Sequence, residues 1–456
     1  MPLREIAPKL PPDQYEQNFA DITPPYNPRQ AVIEAARCLY CFDAPCTQAC
    51  PTHIDVPAFI KKIMTGNPRG SARVILEANI LGQSCGRVCP TEVLCEGACV
   101  MHEKGEPPIQ IGRLQRYAVD YVLDRNISLF RAGVPNGKKI ACIGSGPASL
   151  ACAAQLARAG YAVTIFDKNE WPGGLNTYGI AAYKTRAQDS LREVDLVRSL
   201  GVQFRQKVEI PRDLSFPDLE KQFDAVFIGV GLGETWALEL PGEDLDGVYG
   251  AIEFIESTKT LDFPQVEVGR RVACIGAGNT AIDVVTAARR LAAETVYLVY
   301  RRGEREMPAF DYEYELAKKD GVVFLWQTQP VRILGEKGVV IGIECLRTEL
   351  GAPDAKGRRS PRPIPGTEFT LAVDMVVRAV GQKPVTEFLR AIPGLALNKG
   401  GTVVVSELHQ TGNPKYFAGG DCTNGGKEVV DAVAEGMAAA HSLDAFLGRP
   451  RGGNGR

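Results

Sequence analysis

The distribution of cysteine constrains this chain more than any other feature. Eight of its 13 cysteines lie between residues 38 and 99, and the other five are scattered over the rest of the chain. In a reducing compartment, such a concentration predicts metal ligation before it predicts disulfides. Because the chain has only four histidines, a histidine-rich metal site or a histidine-based hydrolase is not expected.

The spacing of these cysteines divides them into two sets. The first set reads Cys38-x2-Cys41-x4-Cys46-x3-Cys50-Pro51, and the second reads Cys85-x3-Cys89-Pro90-x4-Cys95-x3-Cys99. The first resembles the ferredoxin-type run, in which the cysteine before proline ligates a neighbouring cluster. Short gaps let several thiolates reach one small inorganic cube, so we expect two [4Fe–4S] clusters. A pair of structural zinc sites is the alternative, although only Cys38 and Cys41 have the zinc-knuckle spacing.

Composition excludes several other classes of protein. The 456 residues include 45% apolar and 23% charged residues, which is typical of a soluble chain with several packed domains. The net charge is −2 without a basic block, so a nucleic-acid or membrane-surface role has no electrostatic support. No apolar run approaches the ~18 residues that span a bilayer, and the N-terminus lacks the pattern of a signal peptide. We therefore expect a cytoplasmic protein.

The chain changes character near residue 135. Residues 29–38, 58–64 and 113–123 carry apolar side chains at helical spacing, which predicts a helical N-terminal domain. Beyond a Gly- and Lys-rich linker, the sequence KIACIGSGPASL at 139–150 is echoed by RVACIGAGNTAI at 271–282. Each segment reads as a strand, a glycine turn and a helix, so two dinucleotide-binding units are expected. Cys142 and Cys274 occupy matching strand positions and are interpreted as buried core residues.

The first glycine turn has the features of an FAD site. Gly144 permits the tight turn, and Gly146 lets a pyrophosphate approach the start of the helix. Asp167 ends the next strand, where a carboxylate binds a ribose hydroxyl. A Pro-Gly-Gly-Leu segment and a late Phe-Ala-Gly-Gly-Asp segment strengthen the assignment to FAD. The predicted FAD contacts are Gly144, Gly146, Pro147, Ala148, Asp167, Lys168, Gly174, Leu175, Asp421 and Val429.

The second glycine turn favours NADPH. Arg301 and Arg302 follow its second strand, at the place where an NADH-specific unit carries an acidic residue. Guanidinium groups there pair with a 2′-phosphate, although a solvated arginine pair at a strand end is the alternative. The predicted contacts to NADPH, or to NADH, are Gly278, Asn279, Thr280, Arg301, Arg302 and Gly381. Because no Cys-x2-Cys follows this turn, electrons are not expected to leave through a disulfide.

These motifs together resemble one family from about residue 37 to residue 447. The chain looks like the flavin and iron–sulfur subunit of bacterial dihydropyrimidine dehydrogenase, with the glutamate synthase small subunit and the NADPH-binding subunit of bifurcating ferredoxin–NADP oxidoreductases as wider relatives. The Cys89–Cys95 spacing, the segment around Gln115 and the Ser149 of the first turn favour the pyrimidine branch. The segment GIAAYK at 179–184 departs from the commoner Gly-Ile-Pro-x-Phe-Arg.

The resemblance implies a specific division of cluster ligands. One cluster would take Cys38, Cys41, Cys46 and Cys99, and the other would take Cys50, Cys89, Cys95 and Gln115. This division leaves Cys85 without a cluster, and a glutamine amide in place of a thiolate would alter the cluster potential. The alternative for Gln115 is an ordinary exposed helix residue.

The expected fold is α plus α/β. A helical iron–sulfur domain spans 1–135, an FAD domain spans 136–262 and 373–456, and a Rossmann-like NAD(P)H domain at 263–372 is inserted in it. We expect hydride transfer from NADPH to FAD and single-electron transfer through two clusters to a partner, with no side chain acting as nucleophile or general acid. The length leaves no room for an FMN barrel, so an FMN-barrel iron–sulfur subunit that reduces uracil or thymine is the expected partner. The alternatives are a glutamate synthase small subunit, a bifurcating subunit and a zinc-bearing scaffold.

Overall fold

The computed structural model describes residues 5–354, 357 and 359–448. Its α-helices are α1 Pro12–Asn18, α2 Pro28–Ala36, α3 Pro45–Gln48, α4 Val56–Met64, α5 Pro68–Ala78, α6 Gly82–Val88, α7 Ile111–Asp124, α8 Pro147–Arg158, α9 Leu175–Tyr178, α10 Ala187–Arg198, α11 Phe216–Gln222, α12 Ala251–Thr260, α13 Asn279–Arg290, α14 Asp311–Lys319, α15 Thr386–Arg390, α16 Asp421–Asn424 and α17 Val429–Phe446. Its strands are β1 Lys139–Ile143, β2 Ala162–Asp167, β3 Gln203–Gln206, β4 Ala225–Ile228, β5 Val248–Gly250, β6 Arg271–Ile275, β7 Thr295–Val299, β8 Val323–Leu325, β9 Thr328–Glu336, β10 Val339–Pro353, β11 Arg359–Pro363, β12 Phe369–Leu371, β13 Met375–Arg378 and β14 Tyr416–Ala418. No helix among these residues is long and apolar enough to cross a membrane.

The chain folds into two compact units. The larger unit contains Thr23–Thr177, Ala187–Leu232 and the chain from Pro384 onward. The smaller unit contains Gly233–Lys383, the short segment Tyr178–Arg186 and an N-terminal segment that ends at Ile22. Both units are discontinuous in sequence, as expected when one nucleotide-binding domain is inserted in another.

Helices α2–α7 form the cysteine-bearing part of the larger unit. Asn27 caps α2, where its side chain accepts from Gln30 N at 2.9 Å and Pro28 occupies the first helical position. Along α7, apolar side chains recur every three or four residues and are almost fully buried. This packing of α7 against α5 and α6 confirms the helical N-terminal block that the sequence predicts.

A parallel sheet forms the rest of the core of the larger unit. Its strand order is β14-β4-β1-β2-β3, and every neighbouring pair is parallel. Four of the five residues of β1, including Cys142, are buried because helices cover both faces of such a sheet. Helix α8 follows β1 and packs closely against α17. The strand, turn and helix that the first glycine segment predicts are therefore present.

The smaller unit contains a second parallel sheet with the order β5-β13-β6-β7-β8. Strands β9–β12 form an antiparallel sheet in which β10 pairs with each of the other three. All strands of this unit lie in the chain between β4 and β14 of the first sheet, so the insertion predicted from the sequence is confirmed. Cys274 is fully buried in β6, as expected.

Two strands of the second sheet lie outside the segment predicted for this domain. Strand β13 pairs with both β5 and β6, whereas the sequence-based boundaries at 263 and 373 assign β5 and β13 to the FAD domain. These strands have only three and four residues, too few to show a period. The predicted outer limits at residues 1 and 456 lie outside the described residues.

The first helix also departs from the predicted boundaries. Helix α1 belongs to the smaller unit rather than to the cysteine-bearing helices. Tyr15 on α1 and Phe19, the residue that follows the helix, are four residues apart and both stack on Phe263, with ring centroids 5.7 and 4.1 Å away. The aromatic face of α1 is thus buried against a residue far along the chain, which a local periodicity does not reveal.

Candidate cofactor sites

One cavity in the larger unit is lined by the cysteines of a predicted cluster. Cys38 and Cys41 lie in the loop after α2, Cys46 lies in α3, and Cys99 precedes a short 3-10 turn. Apolar side chains that include Val56, Ile60 and Ile111 complete the walls. Four soft sulfur donors around an apolar cavity fit an iron–sulfur cluster, because thiolates are its usual ligands.

The electrostatics of these thiols also show that they are close to one another. Burial, together with the neighbouring thiols of Cys38 and Cys99, raises the pKa of Cys46 to about 11. Burial likewise raises the pKa of Cys38, and Cys41 and Cys99 add to that shift. The structure therefore brings together the four residues predicted for the first cluster. Their role as its ligands stays a prediction.

The second cysteine group contains a residue that the predicted ligand set leaves out. A hydrogen bond with Cys85, together with burial, raises the pKa of Cys89 well above its ordinary value, and Cys95 and Cys50 raise it further. Asn79 Nδ2 also donates to Cys85 Sγ at 3.1 Å. Cys85 thus lies beside Cys89, a predicted ligand of the second cluster, although the resemblance assigns Cys85 no role.

The predicted fourth ligand of this group is Gln115. Its side chain is buried on α7, and its amide nitrogen donates to the carbonyl oxygen of Gly82 at 2.8 Å. The alternative of an ordinary exposed helix residue is therefore wrong. Among the described residues, no three His, Cys, Asp or Glu side chains converge as ligands of a single metal ion.

The first glycine turn has the close approach that a pyrophosphate site needs. Gly144 has φ +90°, and a Cβ there would lie 2.5 Å from the carbonyl oxygen of Gly229. A Cβ at Gly174 would lie 2.7 Å from Cα of Gly146, so the two predicted FAD segments touch through their backbones. Helix α8 begins with Pro147 and Ala148 directly after this turn. This close approach of the backbone segments is therefore possible only because Gly144 and Gly174 have no side chain.

Asp167 is held in place by the glycine turn. It ends β2 and lies almost fully buried, and its Oδ2 accepts from Ser145 N at 2.8 Å and from Ser145 Oγ at 2.5 Å. The N–H of Asn169 donates to Oδ1 at 2.8 Å, while the next residue, Lys168, is exposed. The carboxylate of Asp167 is thus fixed at the carboxyl edge of the sheet, where a ribose would be bound.

The late FAD segment depends on Glu435, a residue that is not among the predicted FAD contacts. Asp421 follows β14 and Val429 begins α17, as the predicted site requires. Glu435 on α17 accepts from Gly420 N at 2.7 Å, Thr423 Oγ1 at 2.9 Å and Asn424 Nδ2 at 2.9 Å. The partners are 11–15 residues away, so no local motif indicates this contact. Burial and the nearby Glu435 raise the pKa of Asp421, against a lowering by the N–H of Lys427.

The second glycine turn leaves the start of α13 open. Gly276 has φ +130°, and a Cβ there would lie 2.2 Å from the carbonyl oxygen of Ala379. At Gly278, by contrast, a Cβ would meet nothing within 4 Å. Asn279 Oδ1 accepts from Phe310 N at 3.1 Å, and Thr280 is partly exposed in the first helical turn. The start of α13 is therefore free to receive a phosphate group.

The arginine pair lies directly beyond β7. Arg301 is exposed, and its carbonyl oxygen accepts from Thr348 Oγ1 at 2.8 Å. Arg302 is partly buried, and its Nε has no hydrogen-bond partner within the described part of the chain. A buried guanidinium donor without a partner fits an anionic ligand such as a 2′-phosphate. Gly381, with φ +92°, lies beyond the end of β13 on the other side of β6.

A buried ionic network lies behind the second glycine turn. Lys184 Nζ lies 2.6 Å from Asp283 Oδ1 and 2.5 Å from Glu313 Oε1, and Tyr183 OH donates to Asp283 Oδ1 at 2.9 Å. Burial raises the pKa of Glu313 to about 7, against the attraction of Lys184. Burial would lower the pKa of Lys184, but the two carboxylates hold it above its ordinary value. In the sequence, Lys184 is recognisable only as the last residue of the segment GIAAYK, which departs from the family motif.

Two family models match the chain. Residues 15–127 match the family described as dihydropyrimidine dehydrogenase domain II, 4Fe-4S cluster. Residues 138–436 match the pyridine nucleotide-disulphide oxidoreductase family. The first match contains both cysteine groups and the second contains both glycine turns, so the sequence motifs and the family models agree on the order of the domains.

Several curated proteins resemble the chain over most of its length. The glutamate synthase [NADPH] small chain of Escherichia coli (strain K12) is 37% identical over 97% of this chain and 97% of its own length. That of Azospirillum brasilense is 31% identical over 96% of this chain and 93% of its own. The NADP(+)-dependent formate dehydrogenase subunit beta of Moorella thermoacetica is 37% identical over 89% of this chain and 60% of its own. These relatives support the glutamate synthase alternative better than the expected pyrimidine branch.

The fold has a counterpart among solved structures. FprA of Mycobacterium tuberculosis in complex with NADPH is 22% identical and covers 68% of this chain and 84% of its own, with a TM-score of 0.57. At this identity the likeness shows the fold alone. The two family matches and the glutamate synthase small chains that align over nearly the whole chain show that the chain belongs to the glutamate synthase small-chain-like family of NADPH-dependent oxidoreductases, with a 4Fe-4S domain followed by FAD- and NADPH-binding domains.

Proposed function

We propose that this chain is the electron-input subunit of a glutamate synthase-type complex, in which it oxidises NADPH and passes electrons to a partner subunit. One observation carries this proposal, namely the 37% identity to a glutamate synthase [NADPH] small chain over 97% of both chains. The cysteine groups and the two glycine turns supply the sites that such a subunit needs. The formate dehydrogenase relative supports the same role toward a different partner.

The two sheets would hold the two dinucleotides. In the larger unit, the turn at Gly144–Gly146, the carboxylate of Asp167 and the start of α17 would hold FAD. In the smaller unit, the start of α13 would hold the pyrophosphate of NADPH, and Arg301 and Arg302 would pair with its 2′-phosphate. Bound FAD supplies the exchange between hydride and single-electron chemistry. The residues of this chain bind, orient and shield the reacting groups.

The two cysteine groups would each hold one [4Fe–4S] cluster. The cavity lined by Cys38, Cys41, Cys46 and Cys99 fits the first. The residues Cys50, Cys89 and Cys95 would hold the second, completed by Gln115. Three cysteines of the first set (Cys38, Cys41 and Cys46) are partly exposed, against two of the second (Cys89 and Cys95), so we place the exit for electrons at the first cluster.

Transfer to a pyrimidine-reducing FMN-barrel subunit is a second candidate function. Two observations favour it. The family of residues 15–127 is named for dihydropyrimidine dehydrogenase, and Gln115 is buried and hydrogen-bonded to Gly82, at the start of the helix that carries Cys85. The full-length relatives favour the first candidate.

Reconstitution with defined partners tests the two candidates. The chain is purified anaerobically and combined with a glutamate synthase catalytic subunit or with an FMN-barrel pyrimidine subunit, and NADPH-driven formation of glutamate or dihydrouracil is measured. We expect glutamate formation with the first partner only. Dihydrouracil formation with the second partner alone would replace the first candidate by the second. Failure to oxidise NADPH in the presence of either partner or of a dye would contradict both.

A further inference from the structure

A half-exposed tryptophan lies at the carboxyl ends of the strands of the second parallel sheet. The side chain of Trp236 is 50% exposed, although exposure of so large an apolar side chain to water is unfavourable. Its backbone N–H donates to the carbonyl oxygen of Gly381 at 2.9 Å. Gly381 lies three residues beyond the end of β13, so Trp236 lies beyond the carboxyl end of that strand.

The loop that carries Trp236 is firmly anchored. Gly233 N donates to the carbonyl oxygen of Lys383 at 2.8 Å, and Lys383 N donates to that of Glu234 at 2.9 Å. Further along the loop, Glu243 accepts from the N–H groups of Leu238 and Glu239 at 2.7 and 2.9 Å. Trp236 is therefore exposed on a fixed backbone rather than on a loose one. An exposed aromatic ring on a fixed support loses little conformational entropy when a ligand packs on it.

The same edge of the sheet carries the second glycine turn. Ala379 N donates to the carbonyl oxygen of Ile275 at 2.8 Å, and Gly276 packs directly on the carbonyl oxygen of Ala379. The segment that leads from β13 to Gly381 thus touches the turn between β6 and α13. Trp236, held by Gly381, lies beside the mouth of the proposed NADPH site within the same unit.

The order of strands indicates on which side of α13 each half of the dinucleotide would bind. In the order β5-β13-β6-β7-β8, the chain leaves β6 toward β7 and returns later on the other side as β13. This is the switch point at which open parallel sheets bind dinucleotides. Arg301 and Arg302 follow β7, so the adenosine half with its 2′-phosphate would lie on the β7 side of α13. The nicotinamide half would then lie on the β13 side, where Gly381 holds the backbone of Trp236 and lies against its ring.

We propose that Trp236 is a positioning residue that packs against the nicotinamide half of NADPH. This inference rests on the proposed function, because it takes NADPH as the electron donor. A flat aromatic surface suits the nicotinamide ring and its ribose, and stacking of this kind changes affinity severalfold when the aromatic residue is truncated. The arginine pair would recognise the other half of the same molecule.

Two ligands distinguish this role from a structural one. NADP+ contains both halves, whereas 2′,5′-ADP contains only the adenosine half with its 2′-phosphate. We expect Trp236→Ala to raise the Kd for NADP+ about five- to tenfold and to leave the Kd for 2′,5′-ADP unchanged. Arg302→Ala should weaken both ligands. Trp236→Phe should keep most of the NADP+ affinity, and Ile341→Ala, which truncates another exposed apolar residue of the same unit, should change neither Kd.

Tryptophan fluorescence gives a readout independent of turnover and of truncation. In the wild-type holoprotein, NADP+ should quench the emission of Trp236 and 2′,5′-ADP should not, and the quenching should be lost in Trp236→Phe. An unchanged NADP+ Kd in Trp236→Ala, equal weakening of both ligands, or quenching that persists in Trp236→Phe would overturn the proposal. A wild-type protein that binds neither ligand would contradict the NADPH role itself, a result distinct from failure of the variants.

Discussion

At the scale of single residues, the second cysteine group poses a choice between two fourth ligands. Cys85 is hydrogen-bonded with Cys89, whereas the Gln115 amide nitrogen is engaged by the carbonyl oxygen of Gly82. The amide oxygen is the atom that would bind iron, and this contact leaves it available. The hydrogen bond from Gln115 Nε2 to the carbonyl oxygen of Gly82 would orient that amide oxygen, as contacts beyond the ligands commonly do at metal sites.

Iron content and spectroscopy of two variants test this choice. We expect Cys85→Ala to retain both clusters, because it removes a neighbour and not a ligand. Gln115→Ala should lose about half of the iron, or shift the electron paramagnetic resonance signal of one reduced cluster. If Cys85→Ala loses half of the iron and Gln115→Ala loses none, Cys85 is the fourth ligand and the ligand set implied by the family resemblance is wrong.

The buried network around Lys184 predicts a dependence of stability on pH. Burial raises the pKa of Glu313 in the folded state to about 7, above its value in the unfolded chain. The unfolded state therefore releases this proton first, and the free energy of unfolding falls as the pH rises toward 7. The stabilisation that the protonated Glu313 contributes is complete below the pKa of the unfolded state, about 4.3, and is lost above the pKa of the folded state.

Chemical denaturation between pH 5 and pH 8 measures this effect. Glu313→Gln keeps the shape and a neutral side chain, so it should flatten the decline in the free energy of unfolding by on the order of 1–3 kcal/mol. Glu315→Gln, on the exposed side of the same helix, is the matched control and should leave the decline unchanged. An equal decline in wild type and Glu313→Gln would show that Glu313 does not titrate in this range.

At the scale of secondary-structure elements, the sequence is most informative where a motif is local. A glycine turn between a strand and a helix needs residues within a dozen positions, so both nucleotide-binding units were predictable. The contacts of Glu435 span 11–15 residues but follow no known motif, and Phe19 stacks on Phe263, which is distant in sequence. The short strands β5 and β13 are fixed by pairing with β6 rather than by their own propensity.

The two glycines of the second turn should respond differently to the same substitution. Gly276→Ala places a Cβ against the backbone of Ala379 at a positive φ, so we expect a loss of more than about 2 kcal/mol in the free energy of unfolding. Gly278→Ala meets no neighbour within 4 Å, so stability should be retained. Its added methyl group faces the space where the pyrophosphate would lie, and the Kd for NADP+ should rise about tenfold. Thermal denaturation and titration calorimetry separate the two effects, and loss of stability in Gly278→Ala would contradict this account.

At the scale of the whole molecule, the cofactor sites belong to separate structural parts. The proposed FAD turn and the NADPH turn each lie on their own parallel sheet, whereas the cysteine groups lie among the helices α2–α7. Damage to one cysteine group should therefore leave the dinucleotide sites intact. A substitution in the first cysteine group can therefore remove the proposed site of electron transfer to the partner while the NADPH and FAD sites are kept.

Substitution of Cys41 tests whether the chain works as an electron-input subunit. Cys41→Ala should lose iron from the first group yet retain FAD and the reduction of a dye by NADPH, because both glycine turns lie on the sheets. Electron delivery to a catalytic partner should fall by at least about tenfold, since the partly exposed first group is the proposed exit. Cys345→Ala, which removes a buried thiol outside both groups, should retain both activities. The isolated wild-type chain is expected to reduce dyes but to form neither glutamate nor dihydrouracil, so product formation reports electron transfer to the partner. Undiminished product formation with Cys41→Ala would therefore show that electrons leave the chain by another route.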